Sequence, residues 1–586
     1  MSTQIESVSE LDPITFEVLR NLFEHTADRM STVLRRTSFS PVMYDLVDFS
    51  NAIFTPDLEL VGQAANCPAH LAAMHFSAQA SVDKFGIEDL GEDDIVFLND
   101  PFNGGTHNND VTWTMPVYAD DGDLLGFCVS RGHWTDMGGG GPGSQSWGTH
   151  IAEEGLRVPP TKIVEDGELN ETLVTLLKKN TRVPHFIEGD IQAHRAALSA
   201  GKKELHRMEQ KYGADTVRQG MDDVIAYTEN RTRTAIADIP DGEYTAQDYG
   251  DCDGISKDSI YITVTLTIDG DDIHVDFEGT DDLVLGSVNS PKSNTYSAVY
   301  YALKFFTDPD APPNGGMYRP IDISIPDGSW LKAEWPRPVY GCTTFTGSKI
   351  CATIWQALAK AIPEEIAAPT YSECNGFAIR QEDPDALEGH VWPGLPPGGW
   401  GGTPYGDGMD TTIDPLGNCE PLPVERTELL YPVTVDHREF IPDSGGPGEH
   451  RGGLGMRLTY TFDSYTEVSI ETSRTKEGTP GVNGGERGSL GLMVKDYDTA
   501  EEEVIGGWTR DGEEWKMSIL GSEPFQSGES FTLKTQGGGG WGDPTDRNPN
   551  KIREDVLNEK VTPEAARDIY DLDPEELPAH AQDPTS

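Results

Sequence analysis

The chain lacks most of the features that mark familiar protein classes. Its seven cysteines (67, 128, 252, 342, 351, 374 and 419) are odd in number and include no CxxC pair. That argues against a disulfide frame or a zinc knuckle. No apolar run is long enough to span a bilayer, and "MSTQIESVSE" has neither the basic nor the apolar region of a leader, so a cytoplasmic protein is expected. No GxGxxG stands between a strand and a helix, and no GxSxG elbow is present, which argues against a serine hydrolase. "GCTTFTGSK" has the look of a phosphate loop, but its spacing is wrong and Lys349 follows the serine. Basic residues are scarce too: 44 Lys and Arg stand against 99 Asp and Glu, a net charge of −55. Such a surface repels nucleic acid and anionic membranes, so neither is expected as a partner. The acids are dispersed, as in "YADDGD" and "DGDDIHVDFEGTDD". Dispersed acid on a folded chain is the pattern of a halophilic protein, working where the Debye length shrinks to ~3 Å at 1 M salt. An ordinary acidic cytosolic protein is the alternative.

What is present is enough for two or three domains in 586 residues. "LDPITFEVLRNLFEHTADRMSTVLRRTS" opens with a helix. Asp12 caps it, Pro13 fits its first turn, and Ile14, Val18, Leu19, Leu22, Met30, Val33 and Leu34 form its apolar face. Residues 45–150 alternate short apolar pieces ("AIFT", "DDIVFLND", "VTWTMPVY", "LLGFCVS") with Gly- and Asp-rich turns, a strand-and-loop pattern. Residues 186–235 return to helix, broken at Gly213. From 258 the alternation of Ile260, Ile262, Val264, Leu266 and Ile268, a turn, then Ile273, Val275 and Phe277 spells a hairpin. "SNTYSAVYYALKFF" and "KICATIWQALAKAI" read as helical insertions, and strands resume at "RLTYTF" and "EVSIETS". "WPGLPPGGWGGTPYGDG" is either a functional loop or a linker. The expected fold class is therefore α+β and multidomain. Residues 1–250 form an N-terminal domain of helical segments and a Gly-rich strand-and-loop region. Residues 251–545 form a β-rich C-terminal region, and 546–586 an acidic tail with one short helix near "TPEAARDIY".

The chemistry concentrates in "NDPFNGGTHNNDVTW" and "SRGHWTDMGGGGPGS". His107 and Asp110 lie three residues apart, and His133 follows His107 by 26. Two imidazoles and a carboxylate suit Mn, Zn or Fe and leave positions open for water and substrate. The alternative is that these are polar loop residues hydrogen-bonded to one another. Gly138, Gly139, Gly140 and Gly141 expose amides that can form an anion nest, or else a flexible loop. Asp136 and Glu154 are candidate catalytic carboxylates, with His150 and Glu153 as competitors for the general base. His25, His194 and His206 read as structural.

Several blocks, in order, resemble the hydantoinase B/oxoprolinase family. They are "DFSNAIF" (48–54), "NDPFNGGTHNNDVTWTMPV" (99–117), "SRGHWTDMGGGGPGS" (130–144), "EEGLRVPPTKI" (153–163), "PPNGGMYRPIDISIPDGSWL", "PVERTE", "DSGGPGEHRGGLG" (443–455) and "QGGGGWGDPTDR" (536–547). The resemblance covers nearly the whole chain. It implies a metal site on His107, Asp110, His133 and Asp48, with Asp45 close enough to compete for the last place. It also implies that ATP is used through a separate A-type subunit, so that the chain works in a hetero-oligomer. The first reading is then the B-type subunit of an ATP-dependent cyclic-amide hydrolase of hydantoinase or 5-oxoprolinase type. The metal subunit of a ketone carboxylase is a second, and a metal-free scaffold for the A subunit a third. "GGTHNND" departs from the "GGTHLPD" of many relatives, which leaves the substrate open.

Overall fold

The computed structural model describes residues 11–64, 66–382 and 389–572. Asp12 caps α1 (Pro13–Thr37), accepting hydrogen bonds from the amides of Ile14 and Thr15 at 3.1 and 3.2 Å. The buried stripe of α1 is Phe16, Leu19, Phe23, Ala27, Met30 and Leu34. This corrects the expected face: Ile14 is 77% exposed and Val18 36%. The series 16, 19, 23, 27, 30, 34 keeps the 3.6-residue period better than the one chosen, and it places both phenylalanines inside. Each such side chain contributes about 1.5–3 kcal/mol on burial.

The chain divides into two compact units that interleave along the sequence. The first holds the residues up to Glu243, Thr265–Thr343 and Leu416–Glu420; the second holds Tyr244–Val264, Thr344–Pro415 and the chain from Pro421. The linear division at 250/251 does not match this, because the chain passes between the units several times.

The first unit is built on a seven-stranded sheet. Its members are β1 (Phe49–Phe54), β2 (Leu60–Gln63), β3 (Ile95–Leu98), β4 (Asp110–Tyr118), β5 (Leu124–His133), β6 (Thr161–Glu165) and β7 (Glu168–Leu169), in the order β2-β1-β5-β4-β3-β6-β7. Its neighbouring strands pair antiparallel throughout. One face packs Phe49, Ile53, Val111, Trp113, Met115 and Cys128 against α1, α3 (Pro184–Tyr212) and α4 (Ala214–Ile236). The other face packs Ala52, Phe54, Phe127 and Val129 against Met74 and Ala78 of α2 (Ala73–Phe85), a helix inside the stretch read as strands and loops. With both faces covered, β1 and β4 are buried almost throughout, which hid their alternation in the sequence. Gly213 divides α3 from α4 as expected, at φ 85°.

After β8 (Gly242–Gly250) comes the expected hairpin of β9 (Ile260–Asp269) and β10 (Asp272–Asp276), with Ile273 opposite Ile268 and Val275 opposite Leu266. Both helical insertions form, as α5 (Lys292–Thr307) and α6 (Ser348–Ala361). Between them, β11 (Ile321–Ser324) runs parallel to β10.

The second unit carries two antiparallel sheets. β12 (Phe377–Gln381), β13 (His390–Gly394), β16 (Thr466–Glu471) and β20 (Ile519–Phe525) form one. β14 (Val433–Phe440), β15 (Met456–Phe462), β17 (Leu492–Lys495), β18 (Glu503–Trp508), β19 (Trp515–Lys516) and β21 (Ser530–Lys534) form the other. Phe377, Ile379, Trp392, Tyr460, Ile470 and Phe531 share one core. The Gly/Pro stretch after 392 is neither linker nor open loop. Four glycine-bearing segments lie side by side: Gly399 donates to Gln536 (2.9 Å), Gly402 to Gly539 (2.8 Å), Gly453 to Trp400 (2.7 Å), Gly538 to Gly453 (3.0 Å) and Gly540 to Glu486 (2.9 Å). A Cβ on Gly453 would lie 1.9 Å from the Met409 carbonyl, and one on Gly537 1.7 Å from that of Ser444. Only bare backbone fits. The acidic tail also folds further than expected: α7 (Pro549–Leu557) and α8 (Pro563–Asp568) close a small core of Ile552, Val556, Ala566 and Leu572. The tail beyond 572 lies outside the described residues.

Candidate metal centre

Strand register explains the spacing of the two motifs. β4 and β5 form a long hairpin in which Asp110 stands directly opposite His133 and Thr112 opposite Arg131. β1 lies on the far side of β5, with Phe49 opposite Gly132 and Ser50 opposite Arg131. Side chains alternate along strands, so Asp48, Ser50, Asp110, Thr112, Arg131 and His133 share the sheet face that carries Ala52, Phe54 and Val129 further along. That face is apolar along its middle and turns polar at one end.

At that end Asp110 Oδ1 meets His107 Nε2 at 3.0 Å and His133 Nδ1 at 3.2 Å. Its Oδ2 accepts from Thr106 Oγ1 at 2.5 Å and from Arg131 at 3.1 Å. Asp48 Oδ2 lies 3.9 Å from His133 Nδ1, and the His133 amide donates to the Asp48 carbonyl at 3.0 Å. Of the two competing aspartates, Asp48 is therefore the one that faces the cluster. Burial works to raise the Asp110 carboxyl pKa, but His107 and Arg131 beside it hold it well below the usual range. Burial lowers the His107 pKa in spite of Asp110, while Asp110 and Asp48 raise that of His133 against the same burial. The result is an ionised carboxylate between two imidazole nitrogens. Neighbouring ligands of one ion with bonds of about 2.1 Å stand at such separations, so these residues fit a divalent transition metal.

The other candidates fall elsewhere. Asp136 is fully buried and bound to Arg182 at 2.6 Å, to the Arg182 amide at 2.7 Å and to Thr181. It holds the chain together and is not free for catalysis. The Gly138–Gly141 run is not an open nest. The Gly138 amide points to Asp136 and that of Gly140 to the Glu153 carbonyl, and a Cβ on Gly139 would lie 2.2 Å from that carbonyl. His150 and Glu153 form a capping box on the turn Ile151–Glu154. Glu154 is buried, and burial pushes its carboxyl up to about 8 although the amides of Val339 and Tyr340 donate to it. It thereby fixes Tyr340, whose ring packs edge-on to His107 at 5.3 Å. His194 stacks on Trp113 at 5.1 Å and bonds Ser130 at 2.9 Å; burial drives its pKa down to about 3. His25 is exposed, and His206 pairs with Glu209 at 3.0 Å.

Two residues of the cluster escaped the sequence reading. His70 Nε2 lies 3.6 Å from Asp110 Oδ2, and Cys67 stands beside His70 and Asp48. The signal was "CPAH", a Cys and a His three residues apart, the same spacing as His107 and Asp110.

The second unit buries a different group of charges. Arg474 grips Asp248 through two bonds of 2.8 and 2.5 Å. Near it, burial and the Arg474 charge push Lys349 down to about 8, and burial pushes Glu373 up to about 7. The lysine of the apparent phosphate loop is thus a core residue, bonded to the Ser372 carbonyl at 3.2 Å.

Fold and site together define a protein of mixed α+β build with buried clusters of possible metal ligands. The profile of the Hydantoinase B/oxoprolinase family matches residues 12–544, and the chain belongs to that family. Among its relatives, the caprolactamase subunit beta of Pseudomonas jessenii is 29% identical over 96% of both chains. The crystal structure of the ATP-dependent caprolactamase from that organism superposes with a TM-score of 0.87 over 96% of each chain. 5-Oxoprolinase 1 of Arabidopsis thaliana is 30% identical over 91% of this chain, which covers 42% of that longer protein. An acetone carboxylase structure, at 18% identity and a TM-score of 0.85, shares the fold.

Proposed function

We propose that the chain is the B-type subunit of an ATP-dependent cyclic-amide hydrolase. It opens a lactam or hydantoin ring that an A-type partner activates with ATP. The observation that carries the reading is the pair of imidazole nitrogens on one oxygen of Asp110, set by the β4–β5 register. The similarity to a lactam-opening enzyme's beta subunit supports it. Asp48, His107, Asp110 and His133 would hold a divalent Mn, Zn or Fe ion. Such an ion supplies Lewis-acid polarisation and lowers the pKa of water. The chain's own residues do the positioning. Thr106 and Arg131 lock one oxygen of Asp110, so the other points at the histidines. Tyr340, held by Glu154, walls the site beside His107.

The test joins the chain to its A-type partner and offers ATP with a hydantoin, 5-oxoproline or caprolactam, and small ketones with labelled bicarbonate in parallel. Ring opening that requires ATP is expected. His107→Ala, Asp110→Ala and His133→Ala should each lose the ion held by this set and the activity with it, and His194→Ala should keep that ion. Ketone-dependent label in an acid-stable product, without ring opening, would overturn the hydrolase reading.

A further inference from the structure

The His107–Asp110–His133 set has a neighbour. Asp48, Cys67 and His70 bring one ligand atom each to within 4.8 Å of one another. They come from three places: the residue before β1, and both ends of the turn that precedes α2. Cys67 is 5% exposed and His70 1%.

Hydrogen bonds fix the imidazole. Ser50 Oγ has a single proton and donates it to the Cys67 carbonyl at 3.3 Å. Ser50 Oγ lies 3.1 Å from His70 Nδ1, so one ring nitrogen is held by a hydrogen bond and the other, Nε2, is left to meet a metal. Nε2 lies 3.6 Å from Asp110 Oδ2, an oxygen that already takes hydrogen bonds from Thr106 and Arg131. Cys67 Sγ, which donates to the Leu416 carbonyl at 3.3 Å, lies within 4.8 Å of the ligand atoms of Asp48 and His70.

We propose that Asp48, Cys67 and His70 hold a second divalent transition ion, so that the centre is dinuclear. Thiolate, imidazole and carboxylate together suit zinc, and three protein ligands leave room for water. Asp48 has two carboxylate oxygens and belongs to both sets, lying 3.9 Å from His133 on one side and within reach of Cys67 and His70 on the other. It is the bridge. Two ions sharing a carboxylate clamp the attacking and leaving groups of a displacement. The cysteine makes the two positions chemically unequal: one all nitrogen and oxygen, the other with sulfur. The inference rests on the metal reading of the first set but not on the substrate.

The experiment counts ions and reads their ligands. The full chain, purified with zinc and dialysed, should hold about two ions. Cys67→Ser and His70→Ala should each retain about one, and His107→Ala should also retain about one, in the other position. Reconstituted with cobalt(II), the unaltered chain should show the near-ultraviolet thiolate-to-cobalt charge-transfer band, and Cys67→Ser should lack it. The spectrum of the unaltered chain needs no variant to fold. A single ion per chain with no thiolate band would overturn the proposal. So would a single ion lost equally from His70→Ala and His107→Ala, which would mean one shared centre. A chain with two ions and the thiolate band that opens no ring would support the dinuclear centre and count against the hydrolase reading alone.

Discussion

Replacing Arg474 by methionine should be among the most damaging single changes in the second unit. The guanidinium is fully buried and gives Asp248 two charge-assisted bonds of 2.8 and 2.5 Å, with a third contact to Ser372 Oγ at 3.3 Å. Methionine fills much of the volume but leaves Asp248 as a buried charge whose remaining side-chain donor is Gln356 at 2.9 Å. Breaking a buried pair in this way costs about 3–5 kcal/mol. Lys349 sets the lower end of that range. Burial and then Arg474 hold its pKa near 8, so removing Arg474 lets the lysine charge more fully and answer part of the Asp248 charge. At about 2–4 °C per kcal/mol for a unit of some 150–250 residues, the unfolding midpoint should fall by roughly 10 °C. Urea unfolding followed by tryptophan fluorescence reads the same loss. The double variant Arg474→Met/Asp248→Leu removes both charges and should recover most of the stability, because the penalty lies in the orphaned carboxylate. An Arg474→Met midpoint within about 1 kcal/mol of the parent, or a double variant as weak as the sum of the singles, would refute the reasoning.

Two other outcomes follow from charge. Burial holds the Glu154 carboxyl protonated in the folded chain up to about pH 8, whereas in the unfolded chain it ionises near the usual glutamate value of 4.5. Between those values the folded state binds the extra proton, so stability falls as pH rises, by at most about 1.4 kcal/mol per pH unit. Glu154→Gln should flatten that slope in urea midpoints measured from pH 5.5 to 8; equal slopes in both proteins would discard the idea. With a net charge of −55, the chain should melt at higher temperature in molar KCl than in dilute buffer. An unchanged melting temperature would remove the argument for a halophilic surface.

The sequence was most readable where one local rule acts alone. The Asp12 cap, the Gly213 break and the β9–β10 hairpin each depend on residues within a turn or two of one another. His107, Asp110 and His133 were legible because they share a short hairpin, though only the register shows why 26 residues separate the histidines. His70 and Cys67 were not legible, since they reach the same point from a turn that tertiary packing alone brings there. Asp136 and the glycines after it looked catalytic by proximity in sequence. Proximity does not reveal that Arg182, some 46 residues on, claims the carboxylate. The face of α1 was misread because Ile14 and Val18 are as apolar as their buried neighbours; what separates them is the period set by Phe16 and Phe23.

The bare-backbone bundle of the second unit bears on how the chain reaches its fold. Its segments come from around residues 400, 450, 486 and 538, so each bond that joins one segment to another closes a loop of tens of residues or more. Glycine gives up more freedom on ordering than any other residue, and the glycines of these segments bring no side chains to reward an early encounter. Nothing local nucleates them. The apolar cores of the neighbouring sheets hold contacts that reward early formation, so the long-range closure of the glycine segments is expected to be slow by comparison. Before that step a nascent chain shows unpaired amides and carbonyls in four places at once. A chain that closes these segments slowly exposes those groups to aggregation for longer.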